Sequence, residues 1–479
     1  MKPVTAIILA AGEGKRMRSD RAKVLHLLAG VPILSYVVEL VEKLARPIVV
    51  VVGHQAEEVK RLLKGKPAST VMQQKRSGTA HAVLRAQSSL ARVRAAVLIL
   101  NGDTPLLARA TLERLIEAHH QRGAQLTLLT ARLSDPTGYG RIVRNSEGQI
   151  RRVVEETEAT PYEKKIPEIN TGIYLVEKAA LFELLKTIQP NNQKKEYYLT
   201  DIVESAVKQR RRVESLEVSD SEEVLGINTR LDLAQAEKIL QSRLLKRFML
   251  EGVTILDPDA TWIGRQVLIG RDTVIFPQVR VEGRSVIGEG CVIGPHVRLT
   301  DSQIESSAAI RDFCVINGSR IQTGASVGPF THLRPGTVIK KGARIGNFVE
   351  VKKAEVGPGS KVNHLSYLGD TVVGRDVNIG AGTITCNYDG FKKSKTVIGD
   401  EVFVGSDTQF IAPVRIGRGA LIAAGSTITK DVPPGALAIS RVEQENKPGW
   451  AAMRRSSIKG TKARPRKTTK KRSKKRSRR

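Results

Sequence analysis

Two textures divide the chain. Through its first half, apolar runs at Ala6–Leu9, Ile48–Val52, Val97–Leu100 and Leu126–Leu129 alternate with helix-like stretches. That alternation predicts an α/β, Rossmann-like domain with a mostly parallel sheet. Residues 229–250 place Leu233, Ala236, Leu240 and Leu244 at three- to four-residue spacing without glycine or proline, which predicts a linker helix. From Gly252 an aliphatic residue repeatedly precedes glycine: Ile263-Gly264, Ile269-Gly270, Ile287-Gly288 and Ile293-Gly294 share one six-residue register. The register returns, shifted by insertions, at Gly374 and Gly380 and again at Gly399, Gly405 and Gly417. A six-residue period predicts a parallel β-helix of hexapeptide repeats, each turn built of three short strands, the aliphatic residue pointing inward and glycine relieving the corners. The expected organisation is a domain over 1–228, a linker helix over 229–250, a β-helix over 251–450 and a tail over 451–479.

Composition sharpens this picture at two points. With 41% hydrophobic but only 4% aromatic residues, the 479-residue chain suits aliphatic cores in two or three domains. The formal charge of +30 suggests a nucleic-acid partner until it is divided along the sequence: 15 of the 78 Lys and Arg fall in Arg454–Arg479, which holds no Asp or Glu. Half of the charge is therefore a tail, expected to be disordered and able to contact nucleic acid, anionic lipid or an acidic protein, or simply to stay solvated. No apolar run approaches the roughly 20 residues of a membrane span, and Met1–Ala10 leads into a strand-like segment without a signal-peptide pattern. A cytoplasmic location is expected. Cys291, Cys314 and Cys386 form no CxxC pair, so neither zinc nor a disulfide framework is indicated and buried free thiols are expected.

The first candidate site follows the first strand, at Leu9-Ala10-Ala11-Gly12-Glu13-Gly14-Lys15-Arg16-Met17. Small residues there let backbone N–H groups approach a phosphate. It is not a Walker A loop, because Arg16 stands where Ser or Thr would hold magnesium, nor a dinucleotide fingerprint, because Met17 takes the third glycine position. By itself the segment is also what any glycine-rich strand-to-helix turn looks like. It resembles, however, the LxxGxGxRM signature of sugar-1-phosphate nucleotidyltransferases. The resemblance extends to Gln73 with Gly78-Thr79-Ala80-His81, Asn101-Gly102-Asp103, Tyr139-Gly140-Arg141, Glu155, Glu168-Ile169-Asn170-Thr171-Gly172 and Gly226-Ile227-Asn228. It implies that Arg16 and Lys23 neutralise the triphosphate of UTP, that Asp103 and Asn228 ligate Mg2+, and that Gln73, Gly78 and Thr79 contact uracil. Gly140, Glu155 and Asn170 would hold the sugar, while Leu9, Ala10, Ala11, Gly12, Asn101 and Gly102 complete the nucleotide site. Two residues depart from the family pattern: Ala22 stands where a proline usually precedes the conserved lysine, and Arg76 replaces a glutamine near the base pocket.

The second candidate site lies in the β-helix. Residues 331–450 resemble the acetyltransferase half of the bifunctional N-acetylglucosamine-1-phosphate uridylyltransferase/glucosamine-1-phosphate acetyltransferases, through Leu333-Arg334-Pro335-Gly336, Asn347–Lys353, His364–Asp370, Asn378–Thr383, Cys386–Gly390, Gly405-Ser406-Asp407 and Ala438–Arg441. An imidazole that titrates near neutrality can take a proton from an amine attacking the thioester of acetyl-CoA, and His364 is the candidate base. Arg334 and Lys352 would bind the phosphate of glucosamine-1-phosphate, with Tyr367 and Asn378 as neutral donors. The resemblance places acetyl-CoA on Ala381, Asn387, Tyr388, Ser406, Ala424 and Arg441, and implies a homotrimer of left-handed β-helices.

The expected activity is acetyl transfer to glucosamine-1-phosphate followed by UMP transfer from UTP, giving UDP-N-acetylglucosamine and pyrophosphate for cell-envelope synthesis. Two alternatives remain at this stage. A nucleotidyltransferase with a merely structural β-helix predicts no histidine constellation, and a nucleic-acid-binding protein acting through its tail predicts strongly salt-sensitive binding lost on truncation after Met453.

Overall fold

The computed structural model describes residues 3–75 and 77–461, so Arg76 and the tail from residue 462 lie outside the described residues. The four expected strands are present as Val4–Ala10, Ala45–Val52, Ala96–Asn101 and Leu126–Arg132. They form one nine-stranded sheet whose main path runs Val213–Glu217, Leu126–Arg132, Glu168–Val176, Ala96–Asn101, Val4–Ala10, Ala45–Val52, Ala68–Met72. Every pairing along that path is parallel except those of Glu168–Val176, which runs antiparallel to both neighbours. From Val4–Ala10 the chain adds two strands on one side, then crosses back to place Ala96–Asn101 on the other. Strand order reverses there, and in such sheets the crevice beyond the carboxyl ends of the two flanking strands is where a ligand fits.

The linker helix is Arg230–Leu250, started by a capping box in which Thr229 and Asp232 satisfy each other's backbone N–H groups. It is fastened to the first coil of the β-helix by Gln241, which accepts from Ile263 N (3.0 Å) and donates to Ile263 O (2.9 Å). Glu237 reaches both ways, accepting from Ala29 N at 2.8 Å and from Trp262 Nε1 at 2.7 Å. Arg265 closes the same junction with an ion pair to Glu39 at 2.8 Å.

Beyond it, strands from Thr254–Ile255 to Leu437–Ala438 stack into three parallel sheets of 11, 10 and 9 strands, a left-handed parallel β-helix. Mostly aliphatic side chains fill the axis: Ile275, Ile293, Ile310, Val327, Ile345 and Val362 are among those buried along one face. The hexad glycines have a different reason from the one the period suggests. A Cβ on Gly270 would lie 2.7 Å from Glu289 N, and one on Gly288 would lie 2.6 Å from Ser306 N, so these glycines let successive coils approach closely. The left-handed corners are occupied instead by residues such as Asp272, Gln278, His296 and Asp301. Cys291 and Cys314 are buried free thiols, and burial pushes the Cys314 thiol up to about 11; Cys386 is half-buried.

The tail expectation is corrected over its first part. Trp450–Thr461 form a helix, although every side chain described in it is exposed and no apolar face of it is buried.

Candidate active sites

The carboxyl end of the N-terminal sheet holds two adjoining cavities. One, of about 420 Å³, is lined by Arg16, Gly140, Glu155, Asn170 and Asn228 together with Tyr139 and Thr200. The other, of about 340 Å³, is lined by Leu9, Ala10, Ala11, Gly12, Lys23, Gln73 and Gly78. Leu9, Thr79, Asn101 and Asp103 face both, so residues spread over more than 200 positions meet in one crevice. Gly102 lines neither cavity; its N–H donates to Leu9 O at 2.9 Å and ties the two central strand ends together.

Lys23 is the centre of the polar contacts. Its ammonium pairs with Asp103 Oδ2 and donates to Asn228 Oδ1 at 2.9 Å, while Arg16 Nη2 donates to the same Asn228 oxygen at 3.0 Å. The Lys23 and Asp103 side chains are only 14% and 16% exposed, so this pair sits in a partly desolvated site where charge interactions are strong. Gly14, with φ 70°, makes the approach possible, since a Cβ there would lie 2.8 Å from Lys23 Cβ. In the cavity that Gln73 lines, Gln73 Nε2 donates to Gly78 O at 3.1 Å, and Thr79 Oγ1 accepts from Leu199 N at 2.9 Å. In the cavity that Glu155 lines, Thr200 Oγ1 donates to Glu155 Oε1 at 3.0 Å, and burial holds the Glu155 carboxyl above its usual range.

Several contributors carry no sequence signal of their own. Asp232 accepts from Asn228 N at 2.8 Å and fixes that residue through the helix cap. Thr200 and the fully buried Tyr174 line the same cavity as Glu155. Arg141, part of a motif segment, is 1% exposed and paired with Glu156 at 2.8 Å, so it braces the wall instead of facing a ligand.

The β-helix places the second set of residues along two lines. Asn347 pairs in register with His364, and continuing the same ladder puts Ala381, Ser406 and Ala424 beneath it on successive coils. Gly382 N donates to Leu365 O, Asp407 N to Ala381 O and Gly425 N to Ser406 O, which confirms that stacking. Arg441 ends the column by donating to Ala424 O at 2.7 Å. At its head, His364 Nδ1 lies 2.9 Å from Asn347 Oδ1. An amide oxygen only accepts, so the ring donates from Nδ1, and it is Nε2 that carries the lone pair of the neutral imidazole.

The second line follows the neighbouring sheet, where Glu350 pairs with Tyr367 and Lys352 with Gly369. Arg334 Nη1 is 2.9 Å from Glu350 Oε1. A hydrogen bond and charge from Lys393, then the charge of Arg334, pull the Lys352 amine below its usual value. Lys393 is absent from the sequence reading, since the loop carrying it is an insertion: Glu355 pairs with Val372 but Val372 pairs with Val397. Asn387 and Tyr388 belong to the same loop, with Asn387 Nδ2 donating to Asp370 Oδ2 at 2.5 Å. Asn378 pairs with Lys361 on the His364 face. Within one chain no hydrogen bond or ion pair joins His364 to Arg334, Lys352 or Tyr367 among the described residues.

A crevice of this kind on a mixed α/β sheet, joined to a hexapeptide β-helix bearing a poised histidine, defines a sugar nucleotidyltransferase fused to an acyltransferase. The MobA-like NTP transferase domain family matches residues 6–166, and the bacterial transferase hexapeptide family matches residues 266–301 and 395–430. "Bifunctional protein GlmU" of Pelobacter propionicus is 47% identical over 94% of this chain and 98% of its own length. Proteins of the same name are 49% identical in Heliobacterium modesticaldum, over 91% of this chain and 95% of theirs, and 48% identical in Thermoanaerobacter pseudethanolicus, over 95% and 99%. The chain belongs to the GlmU family of bifunctional enzymes, which make UDP-N-acetylglucosamine.

Proposed function

We propose that the β-helix acetylates glucosamine-1-phosphate with acetyl-CoA at His364, and that the N-terminal crevice then transfers UMP from UTP to the product. The observation that carries the acetyl-transfer half is the Asn347–His364 hydrogen bond, which leaves Nε2 as a base at the head of a column of small residues. His364 takes the proton from the attacking amine. Ala381, Ser406 and Ala424 leave room along that edge for an extended coenzyme, with Arg441 at its end, while Asn387 and Tyr388 would reach the coenzyme from the insertion loop of the neighbouring sheet. The cationic cluster of Lys352 and Lys393 beside Arg334 suits a phosphate.

In the crevice, the sugar phosphate oxygen attacks the α-phosphorus of UTP and pyrophosphate leaves. Asp103 and Asn228 turn a carboxylate and an amide oxygen onto one point, where the Lys23 ammonium now stands. That donor set fits Mg2+, a hard cation held by oxygen ligands. Mg2+ would supply positive charge to the triphosphate. Arg16 and Lys23 add theirs, Gly12 and Gly14 open backbone N–H groups to phosphate, Gln73, Gly78 and Thr79 receive the base, and Gly140, Glu155 and Asn170 receive the sugar.

Side-by-side assembly into a homotrimer supports the second site, because one chain leaves His364 without the phosphate-binding residues. An exposed stack of rings, His296, Phe313, Phe330 and Phe348 with centroids 4.5–5.2 Å apart, runs along the coil corners leading to Leu365 and suits burial against another copy. No described helix is long and apolar enough to cross a membrane. The test is a paired assay of wild type and His364→Ala. CoA release from acetyl-CoA with glucosamine-1-phosphate should disappear in the variant, while pyrophosphate release from UTP with N-acetylglucosamine-1-phosphate persists. A wild-type enzyme that releases pyrophosphate but never CoA refutes the acetyl-transfer half.

A further inference from the structure

The segment that delivers Lys23 to the crevice is held by a residue outside every motif. Ala22 is 1% exposed with φ −55° and ψ 136°, and its N–H donates to Gln55 Oε1 at 2.7 Å. The other end of the same amide, Gln55 Nε2, donates to Asp20 O at 3.0 Å. One side chain therefore grips the backbone on both sides of Arg21, immediately before Lys23. Gln55 itself has φ 52° and ψ 42°, a left-handed conformation that disfavours residues other than glycine. A glutamine kept in that conformation implies that its side chain has a task. The turn it belongs to also braces the phosphate loop, since a Cβ on Gly53 would lie 2.6 Å from Ala11 O.

The departure at position 22 supplies the reason. The family pattern has proline there, and proline fixes φ near −65° and carries no N–H. Ala22 keeps a proline-compatible φ but lacks the ring and brings a buried donor that needs an acceptor. Gln55 satisfies that donor and ties down the freed backbone.

We propose that Gln55 is a positioning residue for uridylyl transfer, doing with two hydrogen bonds what a proline ring would do covalently, and so fixing the backbone from which Lys23 reaches the triphosphate. The proposal rests on the assignment of Lys23 to the triphosphate. Full-length Gln55→Gly separates this role from folding, because glycine accepts φ 52° without strain while the clamp is lost. Its kcat for pyrophosphate release should fall about tenfold, with KM for UTP within about twofold and CoA release unchanged. Adding Ala22→Pro removes the orphaned donor and restores stiffness, and should return kcat to within about threefold of wild type. Gln55→Gly at the wild-type kcat, or a double variant no faster than the single one, overturns the clamp. Lys23→Ala is assayed alongside: if it keeps the wild-type rate, the assignment of Lys23 and the proposal fall together. If it is inactive while Gln55→Gly is not, the clamp alone falls.

Discussion

Replacing Asn347 by alanine isolates the orientation of His364, the proposed acetyl-transfer base. The only hydrogen bond His364 makes through its ring, among the described residues, is the 2.9 Å contact from Nδ1 to Asn347 Oδ1. Losing it frees the ring to rotate and lets the proton move to Nε2, where it abolishes the base. A net hydrogen bond contributes about 0.5–1.5 kcal/mol, and this pair is exposed to solvent, so the lower half of that range applies. With about 1.4 kcal/mol per tenfold in rate, Asn347→Ala should lower kcat/KM for acetyl transfer by about two- to fivefold. Pyrophosphate release should stay at the wild-type rate, which makes it the control for correct folding. Asn347→Asp keeps an acceptor but adds negative charge, which favours the imidazolium. It should retain most activity at alkaline pH while the acid limb of its rate profile moves to higher pH. The measurement is CoA release from acetyl-CoA and glucosamine-1-phosphate across pH 5.5–9, read against pyrophosphate release from the same preparations. Asn347→Ala with unchanged CoA release, or both activities falling together, would refute the reasoning.

Asp103→Asn removes the carboxylate of the proposed Mg2+ site, the one paired with Lys23, and should lower Mg2+-dependent pyrophosphate release by about 10²-fold without changing CoA release; equal loss of both activities would point to misfolding. Burial first, then the Glu155 carboxylate, raises Asp201 from 3.8 to about 6. A carboxyl raised in this way favours the fold while protonated, a contribution complete below about 4 and lost as pH rises through about 6. Asp201→Asn should therefore flatten the fall in thermal midpoint between pH 4 and 6, and an unchanged slope counts against it. Gly288→Ala would place a Cβ 2.6 Å from Ser306 N and 2.9 Å from Ser306 Oγ. It should destabilise the β-helix by about 1–3 kcal/mol in a denaturant titration that leaves uridylyl transfer intact.

Local pattern determined a great deal about this protein. Aliphatic runs bounded by helical stretches were enough for the α/β domain, since strand burial leaves a contiguous trace in sequence. The linker helix was legible for a similar reason: its spacing and its uninterrupted helix formers both fall within Arg230–Leu250. The six-residue period revealed the β-helix because each hexad repeats one local environment. It did not reveal why glycine recurs, since the backbone that a Cβ on Gly288 would meet belongs to the next coil.

What only the tertiary structure decided is which groups meet. Lys23, Asp103 and Asn228 converge across 80 and 205 positions of sequence, a result of the crossover beside the central strand. His364 finds Asn347 and the small column below it through the register of stacked coils. The grip of Gln55 on Ala22 depends on a turn brought alongside by strand pairing 33 residues away. The physical reason is common to all three. Hydrophobic periodicity is a one-dimensional property of the chain, whereas a site is made by contacts between segments that only sheet order and register bring within hydrogen-bond reach.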